Sequence, residues 1–373
     1  MLSRRTHAIS TAGISVILAV SAAGCGSSSS PSPSGADTHS TVSTNGSTAT
    51  GGSAQSIESL LPKAREEGTV VWYTSVSARE VPEITGAFEK KYPGIKVQAL
   101  QMNASQIPPR VITEQRASKY VADVISGNSS YLWQLKAAGA YQPYDAPDAG
   151  PQPAGLDLPD GYRGVIYAVT DVMSYNPAAL AAKHIDPPKT WEDLTKPEWK
   201  GNFSINPQSV GWYMALIQQM GHDKALALVK ALASNSPLIV TSHTLADTQV
   251  EGGEPLATAS GYGYDAASFA AKDPQHITFV NTNPLPTEVD LVNLAKNAPH
   301  PAAARVLADW IQSQEGQSEI VKVSNEVSLR TDVDNNPDVW DLTKWKPVFS
   351  PVDISSDDYN KYLKEYQAAV HAS

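Results

Sequence analysis

Asp171 and Asp265 are carboxylates placed where apolar stretches end, and aromatic residues accompany them: Trp72, Tyr73 and Tyr262. A carboxylate beside an aromatic face suits an amine, through charge and through cation–π attraction. Two carboxylates are also the equipment of a glycosidase, but nothing in the spacing sets the separation which that reaction needs. His243 and Asp247 lie four residues apart on one helix face and would pin a metal only with a third ligand, which the neighbouring sequence does not supply. Asp332, Asp334, Asn335 and Asn336 resemble part of a calcium loop, yet its glycine and closing glutamate are missing, so a solvated turn is expected. The one cysteine, Cys25, closes the run "ISVILAVSAAGCG". Arg4 and Arg5, the apolar stretch and the small residues Ala22, Ala23 and Gly24 form a secretory signal peptide.

Other chemistries are absent. The chain carries no Gly-x-Ser-x-Gly elbow, no HExxH and no GxxxxGK[ST] phosphate loop. The formal net charge of −10 falls to −12 when Arg4 and Arg5 leave with the signal peptide. With no basic stripe, nucleic acid is excluded as a partner. A hydrolase is the remote alternative to a binding protein.

The elements that must position these residues follow from periodicity. After Cys25 comes a Ser/Gly/Thr stretch of about 30 residues that cannot offset its own ordering entropy; as a coil it spans roughly 30 Å. From about Ile57 the chain alternates. "TVVWYTS" reads as a buried strand, "SAREVPEITGAFEKKYPG" as a helix, "IKVQALQ" as a strand, "PPRVITEQRASKY" as a helix, "VADVISG" as a strand and "SSYLWQLKAAG" as a helix. Such a β-α-β-α-β-α order predicts a mostly parallel sheet. Ligands then sit beyond the carboxyl ends of the strands, which marks Tyr73, Thr74 and Ser77 after the first and Asn128 after the third. A long extended segment, Gly164 to Tyr175, follows. Asn176–Pro177 opens a helix, and Thr190 with Asp193 looks like an N-cap pair. Just over 300 residues exceed one comfortable core and predict two lobes.

Three segments carry a family resemblance: "TVVWYTSVSAREVPEITGAFEKKYPGIKV", "TWEDLTKPEWKGNFSI" and "NLAKNAPHPAAARVLADWIQSQEGQ". The chain resembles the extracellular solute-binding lipoproteins of ABC importers, in the branch that binds ferric iron or small anions. The residues before Cys25 resemble the lipobox, so Cys25 is expected to be lipidated. The resemblance implies an α/β, two-lobed, type II periplasmic-binding-protein-like fold with hinge strands between the lobes. The expected division is 1–24 signal peptide, 25–56 lipidated tether, 57–171 with 283–325 as lobe 1, and 172–282 with 326–373 as lobe 2. It also implies no catalysis, a monomer anchored by lipid to the outer face of the cytoplasmic membrane, and a permease with its ATPase subunit as partners.

Iron-binding members of that branch use tyrosines, because Fe(III) is a hard cation that displaces the phenolic proton despite a free pKa near 10. Tyr175 and Tyr262 match family positions, and Gly263 stands where the second of an adjacent tyrosine pair is expected. If the segment is extended, Tyr262 and Tyr264 face one side. Tyr175, Tyr262 and Tyr264 are therefore the metal ligands if Fe(III) is the transported solute; no resident cofactor is implied. Ser77, Asn128 and Thr170 stand where members carry a histidine, an acid and an arginine, so the iron set is incomplete. Ser209, in "NPQSVGW", matches a turn that opens a helix, and helix N-terminal N–H groups suit an anion. Ferric iron and a small organic solute (phosphonate or phosphate ester, polyamine, or sugar) thus remain open. The anchor is directly testable. Cys25→Ser is expected to release the protein into the medium, and fractionation that finds it still membrane-bound would refute lipidation.

Overall fold

The computed structural model describes residues 56–371; the expected signal peptide, Cys25 and all of the tether before Ser56 lie outside them. The first part alternates as the pattern predicts. In chain order it comprises α1 (Ile57–Glu67), β1 (Thr69–Thr74), α2 (Val81–Lys91), β2 (Lys96–Gln101), α3 (Ile107–Arg116), β3 (Val124–Asn128) and α4 (Ser129–Ala137). Gly68 ends α1 in the left-handed region, with φ of 69°, which a residue without Cβ adopts freely. β2, β1 and β3 lie side by side and parallel. After the short β4 (Tyr141–Gln142) comes β5 (Val165–Tyr175), the long extended segment expected from sequence.

The next elements build a second sheet. They are α5 (Pro177–Lys183), β6 (Phe203–Ile205), α6 (Val210–Met220), α7 (His222–Ser234), β7 (Leu238–Ile239), α8 (His243–Glu251), β8 (Ala257–Tyr262) and α9 (Gly263–Ala270). The Asn176 side chain accepts a hydrogen bond from the Ala179 N–H and so caps α5. Thr190 and Asp193 form the expected capping box, although the helix behind it is a short 3₁₀ turn. β9 (Thr278–Val280) and β10 (Leu285–Ala295) bring the chain back, followed by α10 (Pro301–Gln312), α11 (Gln314–Ser324), β11 (Pro347–Phe349) and α12 (Ser356–His371).

Two strands tie the halves together. β10 runs antiparallel between β3 and β5 in the first sheet. β5 pairs with β10 up to Thr170 and then with β8 from Asp171 onward, so one strand serves both sheets. Beyond β8 lie β6 and then β7, both parallel. The strands within each half are thus parallel, and the crossing strands run against them, which is the two-lobed α/β architecture expected.

Each half buries its own core. Trp72, Phe88, Ile95 and Trp310 centre one cluster in the first. Trp191, Trp199, Trp212, Leu216 and Tyr366 centre the other. Burying each such side chain contributes about 1.5–3 kcal/mol. Trp72, Trp191, Trp199 and Trp310 are core residues, and the Trp72 indole N–H also donates to the Ser126 hydroxyl at 3.0 Å. The residues after Glu326 divide between the halves. Val327, Leu329, Val339 and Trp340 share a cluster with Tyr73, Ile107 and Ile125, whereas α12 packs on the second half, with Tyr366 stacked on Tyr213 at 5.5 Å. The sequence expectation had put that whole stretch in lobe 2; the pairing of β11 with β10 draws its first part to the first sheet.

One buried acid joins three elements of the first half. The Asp123 carboxylate accepts from the Val71 N–H at 2.7 Å, the His300 N–H at 2.7 Å and His300 Nδ1 at 2.8 Å. Its side chain is fully buried. Removing it leaves those donors without a partner. Asp123→Ala is expected to cost about 3 kcal/mol, read as a lower denaturant midpoint at unchanged slope. An unaltered midpoint would show that this junction contributes little.

Candidate functional site

A cavity of about 330 Å³ opens between the two halves. Strand register explains which side chains enter it. Asp290 on β10 is the register partner of Asn128 on β3 and of Tyr167 on β5, while Glu288 is the partner of Val169. With a period of two, Glu288 and Asp290 point to the same face as Asn128, Tyr167 and Val169, and all five line the cavity. Glu326 enters from the segment whose neighbour, Val327, bridges to Ala168. The second half contributes Gln208, Val210 and Gly211 at the start of α6, and Tyr262 and Tyr264 at the junction of β8 and α9.

That junction differs from the extended segment considered above. Tyr262 is the last residue of β8, with φ −95° and ψ 132°, and Gly263 begins a helix. A Cβ on Gly263 would overlap the Thr170 hydroxyl, so the chain can turn this tightly against β5 only with glycine there. The two tyrosines nevertheless converge, because the first helical turn brings Tyr264 beside Tyr262 with ring centroids 5.8 Å apart. Behind Tyr262 the His243 ring stacks at 3.7 Å. Its Nδ1 lies 2.7 Å from the Ser260 carbonyl and its Nε2 lies 3.1 Å from the Asn206 amide. Desolvation pushes its pKa down to about 4. It is therefore a neutral imidazole that donates through Nδ1 and accepts at Nε2. With both nitrogens engaged, His243 does not pair with Asp247 as a metal ligand. Among the described residues no group of three or more His, Cys, Asp or Glu could hold a metal ion by itself.

The electrostatics of the cavity are one-sided. No lysine, arginine or histidine is among its lining residues. Burial pushes Glu288 and Asp290 up to about 7, and the charge of Glu288 raises Asp290 further. Burial holds Glu326 well above the usual carboxylate range, with Glu80 and Asp290 adding to the effect. Asp171, fully buried and the register partner of Tyr262, is raised by burial and by Glu288, and both its oxygens lack a hydrogen-bond partner. Burial also raises Tyr262 and Tyr264 well above 10, and the nearby carboxylates Glu288 and Glu326 reinforce this. Arg79, outside the lining, pairs with the buried Glu80 at 3.2 Å and is itself largely exposed.

Of the residues marked from sequence, Ser77, Asn128, Tyr262 and Tyr264 line the cavity. Ser209 is buried between the lining residues Gln208 and Val210, and its hydroxyl lacks a partner. Asp171 is buried and is not among the lining residues. Thr74 frames the first-strand loop, 2.8 Å from the Ser126 hydroxyl. Asp265 turns away to accept from the Thr244 hydroxyl at 2.7 Å. Tyr73 points to the outer side, where its hydroxyl lies 3.1 Å from both Glu114 oxygens. Tyr175 pairs with Ala257 at the far end of β5 and packs in the second core, so it is no partner for Tyr262 at this cavity. Glu288, Asp290, Glu326 and Tyr167 were not marked. The signal was present in "LPTEVDLVNLA", where two acids two residues apart share one face of an apolar strand.

The start of α6 has an occupant of its own. A Cβ on Gly211 would overlap the Glu288 carboxyl, so that carboxyl lies directly against the first turn of the helix. Asn128 Nδ2 donates to Glu288 Oε2 at 2.9 Å and fixes it there. The turn before the helix is held as well: the Asn206 carbonyl accepts from the Tyr366 hydroxyl at 2.7 Å and its Oδ1 accepts from the Gln208 N–H at 2.9 Å. The helix end that sequence offered to an anionic solute faces a carboxylate of the chain itself.

Comparison with known proteins agrees with this architecture. Residues 83–347 match the model of the family described as bacterial extracellular solute-binding protein. The chain is 24% identical over 277 residues to "Iron uptake protein A1" of Synechocystis sp., covering 70% of this chain and 76% of that protein. It is 25% identical over 250 residues to the "Fe(3+)-binding periplasmic protein" of Serratia marcescens, covering 62% and 70%. Iron-bound HitA from Pseudomonas aeruginosa superposes with a TM-score of 0.69 at 23% identity, over 81% of this chain and 99% of that one. AfuA from Actinobacillus pleuropneumoniae, with exogenous fructose-6-phosphate bound, gives 0.70 at 22%, over 82% and 100%. These are type II periplasmic binding proteins, and they share the fold described here. The chain belongs to the bacterial extracellular solute-binding protein family, and it is a binding protein rather than an enzyme.

Proposed function

We propose that this chain is the solute-binding component of an ABC importer and that its cargo is a cation. The observation that carries the reading is the cavity lining: three buried carboxyl groups and four tyrosines, with no basic side chain among them. A phosphate or phosphonate would meet Glu288, Asp290 and Glu326 with nothing to balance its charge. Closure of the lobes would surround the cation with these oxygens, and the closed form would be favoured by its higher affinity. A lipidated Cys25 and its tether would keep the receptor near the permease.

Within the cation class, ferric iron is supported by Tyr262 and Tyr264, which converge on the cavity with acids beside them. An organic ammonium such as a polyamine is supported by the cavity's size. About 330 Å³ is the room of a small organic ligand rather than a bare ion, and tyrosine faces favour ammonium groups. A thermal-shift panel separates the readings. Spermidine, or ferric ion with the colour of phenolate charge transfer, is expected to raise Tm, by about 2.7 kcal/mol of stability at a hundredfold excess over Kd. Phosphate and sugar phosphates are expected to leave it unchanged. Stabilisation by phosphate alone would reject the cation reading.

The raised acids also predict a pH dependence. Glu288 and Asp290 go from ordinary values of 4.5 and 3.8 to about 7 in the folded chain. The folded state therefore holds protons that the unfolded state has lost, and their stabilisation is full below about pH 4 and gone above about pH 7. The Tm of the ligand-free protein should fall as pH rises through that window, while cation affinity rises. Asp290→Asn should flatten the Tm profile; a profile that climbs between pH 4 and 7 in both proteins would contradict the assignment.

A further inference from the structure

Glu288 sits in an unusual place for a buried acid. It belongs to a crossing strand of the first sheet, yet its carboxyl packs against Gly211 in the first turn of a helix from the second half. The helix is eleven residues long, so its N-terminus carries a partial positive charge and unpaired N–H groups. The N-cap residue, Ser209, makes no side-chain capping bond, and its buried hydroxyl has no partner. This leaves the first turn available to an anion from outside the helix. Glu288 packs against that turn, is 5% exposed, and also lines the cavity. Its hydrogen bond comes from Asn128 of the first half, so the carboxyl is held by one wall and packed on the other.

Resting on the cation reading above, we propose that Glu288 is a built-in counter-anion: it occupies the anion seat at the start of α6 and completes the coordination or charge balance of a bound cation. The cargo is then a bare cation, taken up without a companion anion. Gly211 is the positioning residue that makes room for the carboxyl. Its substitution by alanine would meet only the mobile end of the Glu288 side chain, since the three atoms nearest its Cβ all belong to that group.

The test uses the full chain in buffer free of carboxylates and phosphate, with terbium(III) chloride, whose luminescence nearby tyrosines sensitise, and spermidine by calorimetry. Wild type is expected to bind one of these cations equally well with and without added formate or phosphate. Glu288→Ala should weaken that binding about tenfold or more, and formate, entering the vacated seat, should restore it. Glu288→Gln, which keeps the shape and loses the charge, should be weakened and not restored. Gly211→Ala should keep its Tm within a few degrees and still lose affinity, which a purely structural capping role for Glu288 would not produce. Wild-type cation binding that appears only with an added anion would overturn the counter-anion assignment and leave the cation reading standing. Glu288→Ala and Glu288→Gln binding like wild type would do the same. Wild type that ignores both cations and binds phosphate would overturn the two together.

Discussion

A carboxylate withdrawn from water needs a positive partner or a proton, and the cleft of this protein is built around several that have neither a lysine nor an arginine. Leaving a charge buried and unpaired costs several kcal/mol, so the empty site takes up protons instead. Most of what is distinctive in the structure follows. Burial pushes Glu288 and Asp290 up to about 7 and holds Tyr262, Tyr264 and Asp171 well above their ordinary values. A cation that enters can displace these protons and turn a desolvation penalty into attraction. The low local dielectric that makes the empty site costly makes the filled one tight.

The scaffold explains how such acids can be tolerated at all. β10 is buried along its whole length and is paired with β3 over Asp290–Leu294 and with β5 over Thr287–Leu291, so it does not depend on its acidic face for stability. β5 has the same role for both sheets. Each half holds its own aromatic core, and between them Trp133 of α4 packs with Val210 and Met214 of α6 and Tyr359 of α12, beside the polar cavity. The second half then needs only to present a rigid wall. Tyr366 of α12, reaching the Asn206 carbonyl, ties the last helix to the turn that aims α6 at the cleft.

The fold was largely legible in the sequence because its signals are local. The alternation of "TVVWYTS", "IKVQALQ" and "VADVISG" with amphipathic helices gave the parallel sheet, and Asn176 and Thr190 announced their helices through capping chemistry alone. The site was only partly legible, because register decides it and register is non-local. Ser77 and Asn128 follow from the rule that ligands lie beyond strand ends. Tyr175 fails because β5 continues five residues past the crossing, and its last residue faces the second core. Tyr73 fails because the side chains of a strand alternate, and its face belongs to Glu114 and Arg110 on α3. Glu326 could not be found from its own neighbourhood, since only the bridge from Val327 to Ala168 brings it in.

The fold alone does not choose the cargo, since function resides in a site grafted on a shared architecture. On the cation reading, the sign of the cargo's charge rests on a few positions. A helix start facing a cleft favours anions in general. On the cation reading, Glu288 on the opposing strand reverses that preference, because its carboxyl packs on the helix start and lines the cavity. For the acid to sit there, the first turn of α6 must lack a side chain, and Gly211 meets that requirement. For two phenols to face the acid, the strand must turn into a helix within one residue, and Gly263 permits it against Thr170. On that reading, two glycines and one strand acid convert a wall suited to anions into one suited to a cation, without altering either core.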